Sequence, residues 1–383
     1  RLRLQRWCNM PRPATDAFVT AFATLVGDRL ANTLPVYVEY SNEIWNDQFS
    51  QGRRINDEGV AQFSGRPGSD FDKRLNRFGE RTAQICQLWR AAFGTQADRV
   101  RCVMAGQAAN SYVAETALNC PLSTLAPCRA KGIVGLAIAP YIGDHIGLPD
   151  FEATVAGWTA DADGGLNRLF NEMNTGTELK YEGLSGMPIV RTRISAHAKL
   201  AAEQNVALLA YEGGQHLTGV GAPANNTAIN TLMDAANRDS RMGTLYAGYL
   251  QDWSNTGGGL FMHFSDVGIY SRFGRWGVLE LVTQTTSPKY DALQVFAQTA
   301  AEGTANCVFA WVERSFPTLF TPAATSTQRL KPFYFRSYGS GAAATFLATN
   351  WPEQRLMALG PSTGGQVFDA GHVNDFAVGA SCP

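Results

Sequence analysis

The sequence predicts an α/β protein built on a parallel sheet. Short apolar runs rich in β formers alternate with longer segments of helical period, six times in strict order. Such alternation implies parallel strands covered by helices. The chain has 383 residues and is 45% hydrophobic, enough for one large domain plus a small one. No Gly-x-Gly-x-x-Gly follows a strand and no P-loop is present, so nucleotide-binding versions of the architecture lose support. Two closures compete, an open doubly wound sheet and a (β/α)8 barrel. Candidate functional residues at strand C-termini favour the barrel.

The first strand is expected at Leu2–Cys8, followed by a helix over Asp16–Leu30 with apolar residues at 18, 19, 22, 25 and 26. Val36–Ser41 is the second strand. A polar loop then leads to a long helix over Asp70–Phe93. Next come a strand at Arg101–Ala105, a helix near Tyr112–Leu118 and a strand at Ile133–Ala139. A long insertion carries at least one helix around Phe151–Met173. A helix over Pro188–Gln204 precedes the strand Val206–Tyr211. Helices near Ala228–Ala236 and Leu245–Trp253 lead to the last strand, Leu260–Phe264, and the helix Tyr290–Ala301 closes the series. Short strand-like runs separated by Gly, Pro and Ser then mark 303–383 as a small β-rich C-terminal module. The α/β domain occupies 1–302.

Charge narrows the partners. With 32 basic and 33 acidic residues the net charge is −1, which leaves no electrostatic footprint for nucleic acid. No stretch of about 18 apolar residues predicts a membrane span. Aromatics make up 11% of the chain, a composition suited to a neutral ligand.

Seven cysteines are present. Cys120 and Cys128 bracket a short Pro-containing loop, and Cys307 and Cys382 bracket the C-terminal segment. Both pairs read as disulfides of an exported protein. Cys8, Cys86 and Cys102 read as buried apolar thiols. No Cys or His spacing matches zinc, so no metal or other cofactor is expected.

The chemistry is concentrated at two strand ends. The second strand runs into Ser41-Asn42-Glu43-Ile44-Trp45-Asn46, and the strand at 206–211 runs into Glu212-Gly213-Gly214-Gln215-His216. On a barrel both carboxylates face the C-terminal mouth. Glycosidic hydrolysis needs two such groups, one to protonate the departing oxygen and one to attack the anomeric carbon or activate water. Asn42 is suited to bond a sugar hydroxyl, and Gly213 and Gly214 leave room for a sugar ring. Glu39 shares strand parity with Glu43 and needs a partner, for which Arg101 is the candidate. His145, His216 and His263 lie near strand ends as rim hydrogen-bonders, and Asp144 and Asp266 are competing acids. Trp45 is the best placed of the tryptophans for stacking on sugar.

Tyr40-Ser41-Asn42-Glu43 with a later Glu212 resembles the clan A glycoside hydrolases, and the run Val36–Asn46 looks like a poorly characterised bacterial group in or near that clan. The resemblance covers about residues 1–302. It implies a (β/α)8 barrel with an Asn-Glu acid/base after strand 4 and a Glu nucleophile after strand 7. Carried over, Glu43 is the acid/base, Glu212 the nucleophile, Asn42 a contact of the sugar 2-hydroxyl and Tyr141 the residue that positions the nucleophile. The substrate implied is a β-linked glycan and the location secreted or periplasmic. On this numbering only Leu2–Cys8 precedes the fourth strand, so strands 1 and 2 are expected to be missing from the chain together with the signal. The aromatic platform expected after strand 8 has no Trp at the strand end. The alternatives are a carbohydrate-binding barrel without turnover and a hydrolase using Asp144 or His263, the latter without a Gly-x-Ser-x-Gly context.

The C-terminal module resembles small domains appended to secreted bacterial proteins, through Cys307, Phe309-Ala310-Trp311, the aromatic strand at 333–338 and Cys382. A glycan- or surface-binding role and a packing role both fit it.

Overall fold

The computed structural model describes residues 6–181 and 185–302, together with four short strands at 308–310, 329–330, 358–359 and 377–381. Six strands pair in parallel: β1 (Arg6–Met10), β2 (Val36–Tyr40), β3 (Val100–Ala105), β4 (Ile133–Ile138), β5 (Ala207–Ala210) and β6 (Phe261–Met262). Their order is sequential, each strand beside the next. A doubly wound sheet reverses its order at a switch point. No reversal occurs among these six, so the topology is that of a barrel arc. Beyond β6, β10 (Ala377–Ser381) adds antiparallel and pairs in turn with β7 (Val308–Ala310). A separate two-stranded ladder joins β8 (Arg329–Leu330) to β9 (Ala358–Leu359).

Strand parity sorts the side chains into two layers. Val36, Val38 and Tyr40 of β2 and Cys102 and Met104 of β3 face outward, into a core shared with the helices α1 (Asp16–Arg29) and α3 (Asp70–Phe93). A larger outer core lies over β4 to β6. It packs against α4 (Ser111–Asn119), α5 (Glu152–Trp158), α6 (Leu166–Thr175), α7 (Gly186–Gln204), α8 (Thr227–Arg238), α9 (Ser240–Asn255) and α10 (Pro288–Glu302). The inner face carries Val103, Ala105, Ala137, Leu209, Tyr211, Leu260 and Met262, with Trp7 and Tyr37 at its margin. The sheet is curled around this inner face. Tyr211 at the end of β5 reaches Glu43 beyond β2 at 3.4 Å, although three strand steps would set them about 14 Å apart on a flat sheet.

Two sequence expectations change and a third is made definite. The polar loop before α3 contains α2 (Ser50–Gln62). The insertion, expected to hold at least one helix over 151–173, holds two, α5 and α6, with turns between them. Cys86 and Cys102 are not reduced thiols but a disulfide joining α3 to β3, with the Cα atoms 5.7 Å apart. The expected bridge Cys120–Cys128 is present. Cys307 and Cys382 lie outside the described residues. So do most of the residues on which the resemblance of the C-terminal module rests. Among the described residues no helix is long and apolar enough to cross a membrane.

Candidate active site

Immediately after β2 the backbone turns sharply. Ser41 and Glu43 take φ of 60° and 44°. This left-handed region costs a non-glycine residue roughly 1–2 kcal/mol, and residues held there cluster at functional sites. Local bonds hold the turn. The Asn46 amide N–H donates to the Glu43 carbonyl at 2.8 Å. The Asn46 side chain donates to Glu43 Oε2 at 2.9 Å. Gln51, in the first turn of α2, donates to the Asn42 carbonyl at 3.0 Å. The unexpected helix therefore anchors the loop that presents Glu43.

Glu212 follows β5, and its side chain is buried. Tyr141, from the loop after β4, donates its hydroxyl to Glu212 Oε2 at 2.9 Å. Tyr211 donates to Glu43 Oε1. The negative charges of Glu43 and Glu212 both act on each of these tyrosines. Burial first, and those charges second, push both phenols well above their ordinary range. The two hydroxyls therefore stay protonated donors at any working pH.

Glu39, one strand repeat below the turn, completes a group of three carboxyls on the inner face. Its partner is not Arg101, which is exposed near the start of β3. Instead Trp7 Nε1 and Asn9 Nδ2, both from β1, donate to Glu39 Oε2 at 2.8 and 3.2 Å. Asn9 sits directly opposite Glu39 in the ladder, and Trp7 is two residues below. A parallel register fixes these neighbours, so no basic residue is needed.

The remaining candidates divide. Trp45 is half-buried, and its indole Nε1 is buried without a hydrogen-bond partner among the described residues. The side-chain Oδ1 of Asn42 is buried and accepts no hydrogen bond among the described residues. His216 meets Tyr141 edge-on at 5.3 Å and Trp276 at 4.8 Å. Burial lowers its pKa. Asn42, Glu43, Trp45, Tyr141, Glu212 and His216 thus form one neighbourhood. His145 and His263 belong elsewhere. His145 is buried with Nε2 against Glu172 Oε1 at 2.6 Å, and Glu172 also accepts from Ser185 and from two backbone amides of the insertion. His263 shares outward parity with Phe261 and lies beneath α9, its Nε2 3.0 Å from the Tyr246 hydroxyl.

The two glycines after Glu212 are small for a different reason than expected. A Cβ on Gly213 would meet Phe261 and the Tyr249 hydroxyl, and one on Gly214 would meet His263 and the Tyr246 hydroxyl. They let this loop lie flat on the outer core.

Sequence reasoning passed over Tyr211, Trp7 and Asn9, and ranked Trp276 below Trp45 as a stacking residue. Tyr211 read as a strand former, although its parity with Leu209 points it inward. Trp276 stands far beyond β6 in sequence, yet it packs 5.8 Å from Tyr141 and 5.7 Å from Phe264. Among the described residues no group of three or more His, Cys, Asp or Glu could hold a metal ion. Compared with known proteins, the chain matches no family model and no curated sequence.

Proposed function

We propose that this chain is a retaining glycoside hydrolase acting on a β-linked oligo- or polysaccharide. The observation that carries the reading is the convergence of Glu43 and Glu212. They leave strands three steps apart, yet each accepts a bond from a tyrosine that feels the charge of both. In this reading protonated Glu43 gives its proton to the departing glycosidic oxygen while a Glu212 oxygen attacks the anomeric carbon. The bond to the leaving group breaks as the glycosyl–Glu212 ester forms. Glu43, now a carboxylate, takes a proton from water, and that water releases the sugar and restores Glu212. Tyr141 orients the nucleophile through Oε2. Trp45, Trp276 and His216 supply ring faces and edges around the mouth, and Asn42 has an acceptor in need of a partner.

The finer architecture belongs to the same proposal. The six-stranded arc corresponds to strands 3 to 8 of a (β/α)8 barrel, with 303–383 as its appended module. Two disulfides suit an exported protein.

The test is hydrolysis across glucan, mannan, xylan and galactan, with activated aryl glycosides. Glu212→Gln is expected to abolish turnover by several orders of magnitude. Glu43→Ala is expected to lose activity on natural linkages and to recover it with azide on an activated glycoside, giving a glycosyl azide of retained configuration. Binding of these glycans without cleavage by the unaltered chain would reject the enzyme reading in favour of a binding protein. Inverted product would reject the retaining mechanism.

A further inference from the structure

The two-carboxylate mechanism leaves Glu39 without a task. Its side chain is 1% exposed on the inner face. Its hydrogen bonds are lopsided. Oε2 accepts from both Trp7 and Asn9, while Oε1 is buried and has no partner among the described residues. An ionised carboxylate is an acceptor at both oxygens and is costly to bury with one of them bare. A neutral carboxylic acid is different. It accepts on its carbonyl oxygen and donates from its hydroxyl. Two donors on Oε2 and none on Oε1 is the pattern of the acid, with the proton on Oε1.

The surrounding charges point the same way. β1 contributes only uncharged Trp7 and Asn9. β3 places Val103 opposite Glu39, with Arg101 exposed toward the strand start. The turn after β2 contributes Glu43, and the segment after β5 contributes Tyr211 and Glu212. The charges that act on Glu39 are those of Glu212 and then Glu43, both negative. Burial and these two neighbours push its pKa well above the ordinary carboxyl value.

We propose that Glu39 is a positioning residue of this site: a neutral carboxylic acid whose Oε1 hydroxyl donates, directly or through one water, to the Glu212 carboxylate. Glu212 is chosen over Glu43 because both Glu43 oxygens already accept, Oε2 from Asn46 and Oε1 from Tyr211. Tyr141 then holds Glu212 from the β4 side and Glu39 from the β2 side. Two neutral donors keep the nucleophile ionised without adding a cation that would pair with it. The proposal rests on the glycosidase reading only for its effect on turnover.

Infrared spectroscopy of the full chain separates the two. At pH 7 the unaltered protein is expected to show the carbonyl band of a buried protonated carboxyl, and Glu39→Gln to lose it. Trp7→Phe removes the bond to the carbonyl oxygen and should move the band to higher frequency. Glu212→Gln removes the anionic acceptor and should move it upward as well. The absence of any such band in the unaltered protein, or a band that Glu212→Gln leaves in place, overturns the proposal. These readouts stand even if the chain hydrolyses nothing.

If it is active, Glu39→Ala should lower kcat on the order of tenfold, the loss of about one hydrogen bond. It should also move the acid limb of the pH profile to higher pH, because Glu212 loses a donor. Glu39→Gln keeps a neutral donor and should restore most of both losses. Were Glu39 an anion, Glu39→Gln would instead shift both limbs to lower pH, and that result sinks the idea.

Discussion

His263 shows how one side chain's parity decides its role. From sequence it sat at the end of the last strand and read as a rim residue. In the fold it points outward with Phe261 and is fully enclosed beside Tyr246. Burial, and then the Lys289 charge, lower its pKa to about 3 from an ordinary 6.5. The folded chain therefore keeps this ring neutral while the unfolded chain binds a proton below about pH 6.5. The stability tied to a neutral His263 is fully present above that pH and drains away as the pH falls toward 3, by at most about 1.4 kcal/mol per pH unit. Urea midpoints of the unaltered protein and His263→Gln should converge, or cross, between pH 6.5 and 3. Parallel curves over that window would reject the assignment. The same parity argument tells which site residues were legible. Glu43 and Glu212 stand beyond strand ends after β-rich runs, where sequence alone marks a mouth. Tyr211, Trp7 and Asn9 act through cross-sheet neighbours, and those follow only from the register of strands far apart in sequence.

At the scale of elements, strands and most helices were legible because their apolar periods are long and clean. The helix α2 was not. Its sequence, Ser-Gln-Gly-Arg-Arg-Ile-Asn-Asp-Glu-Gly-Val-Ala-Gln, is polar and holds two glycines, which disfavour helix by about 1 kcal/mol each. Those glycines are where neighbours touch. A Cβ on Gly52 would collide with the Asn46 carbonyl and one on Gly59 with the Lys73 carbonyl. The packing that overrides propensity here is tertiary and invisible to a local pattern. Two other helical glycines turn this into a measurement. A Cβ on Gly79 of α3 would strike the Ala117 carbonyl of α4, while Gly248 of α9 is exposed with open space around its missing Cβ. Gly79→Ala should lower stability by about 1–3 kcal/mol through overpacking. Gly248→Ala should raise it by up to about 1 kcal/mol through helix propensity. Thermal unfolding of the two variants checks the opposite signs. Equal shifts would mean that the α3–α4 contact is looser than described.

For the whole molecule, alternation of elements foretold a parallel sheet with helices outside. It did not foretell that the strands follow one another without reversal, because order depends on which way each crossover turns. Nor did it reveal the link between layers. Cys86 and Cys102 are separated by helix, turn and strand, a spacing with no local signature, yet their Cβ atoms meet where α3 lies on β3. This half of the molecule has the smaller outer core. Its first strand, β1, pairs among the described residues with β2 alone. A cross-link between α3 and β3 therefore fastens the helix layer to the sheet in the half with less apolar packing to hold it. Closing a loop of that length restricts the unfolded chain by about 3 kcal/mol. Cys120–Cys128 closes a loop half as long, with a sequence separation of 8 against 16, worth about 2.5 kcal/mol in the same model. Denaturant unfolding of Cys86→Ala/Cys102→Ala should therefore show the larger loss, and reductant should lower the unaltered protein toward it. Peptide mapping without reduction should yield the Cys86–Cys102 pair as one cross-linked species. Recovery of Cys86 alkylated as a free thiol would remove the tether, and the first half of the sheet would then have to stand on its apolar contacts alone.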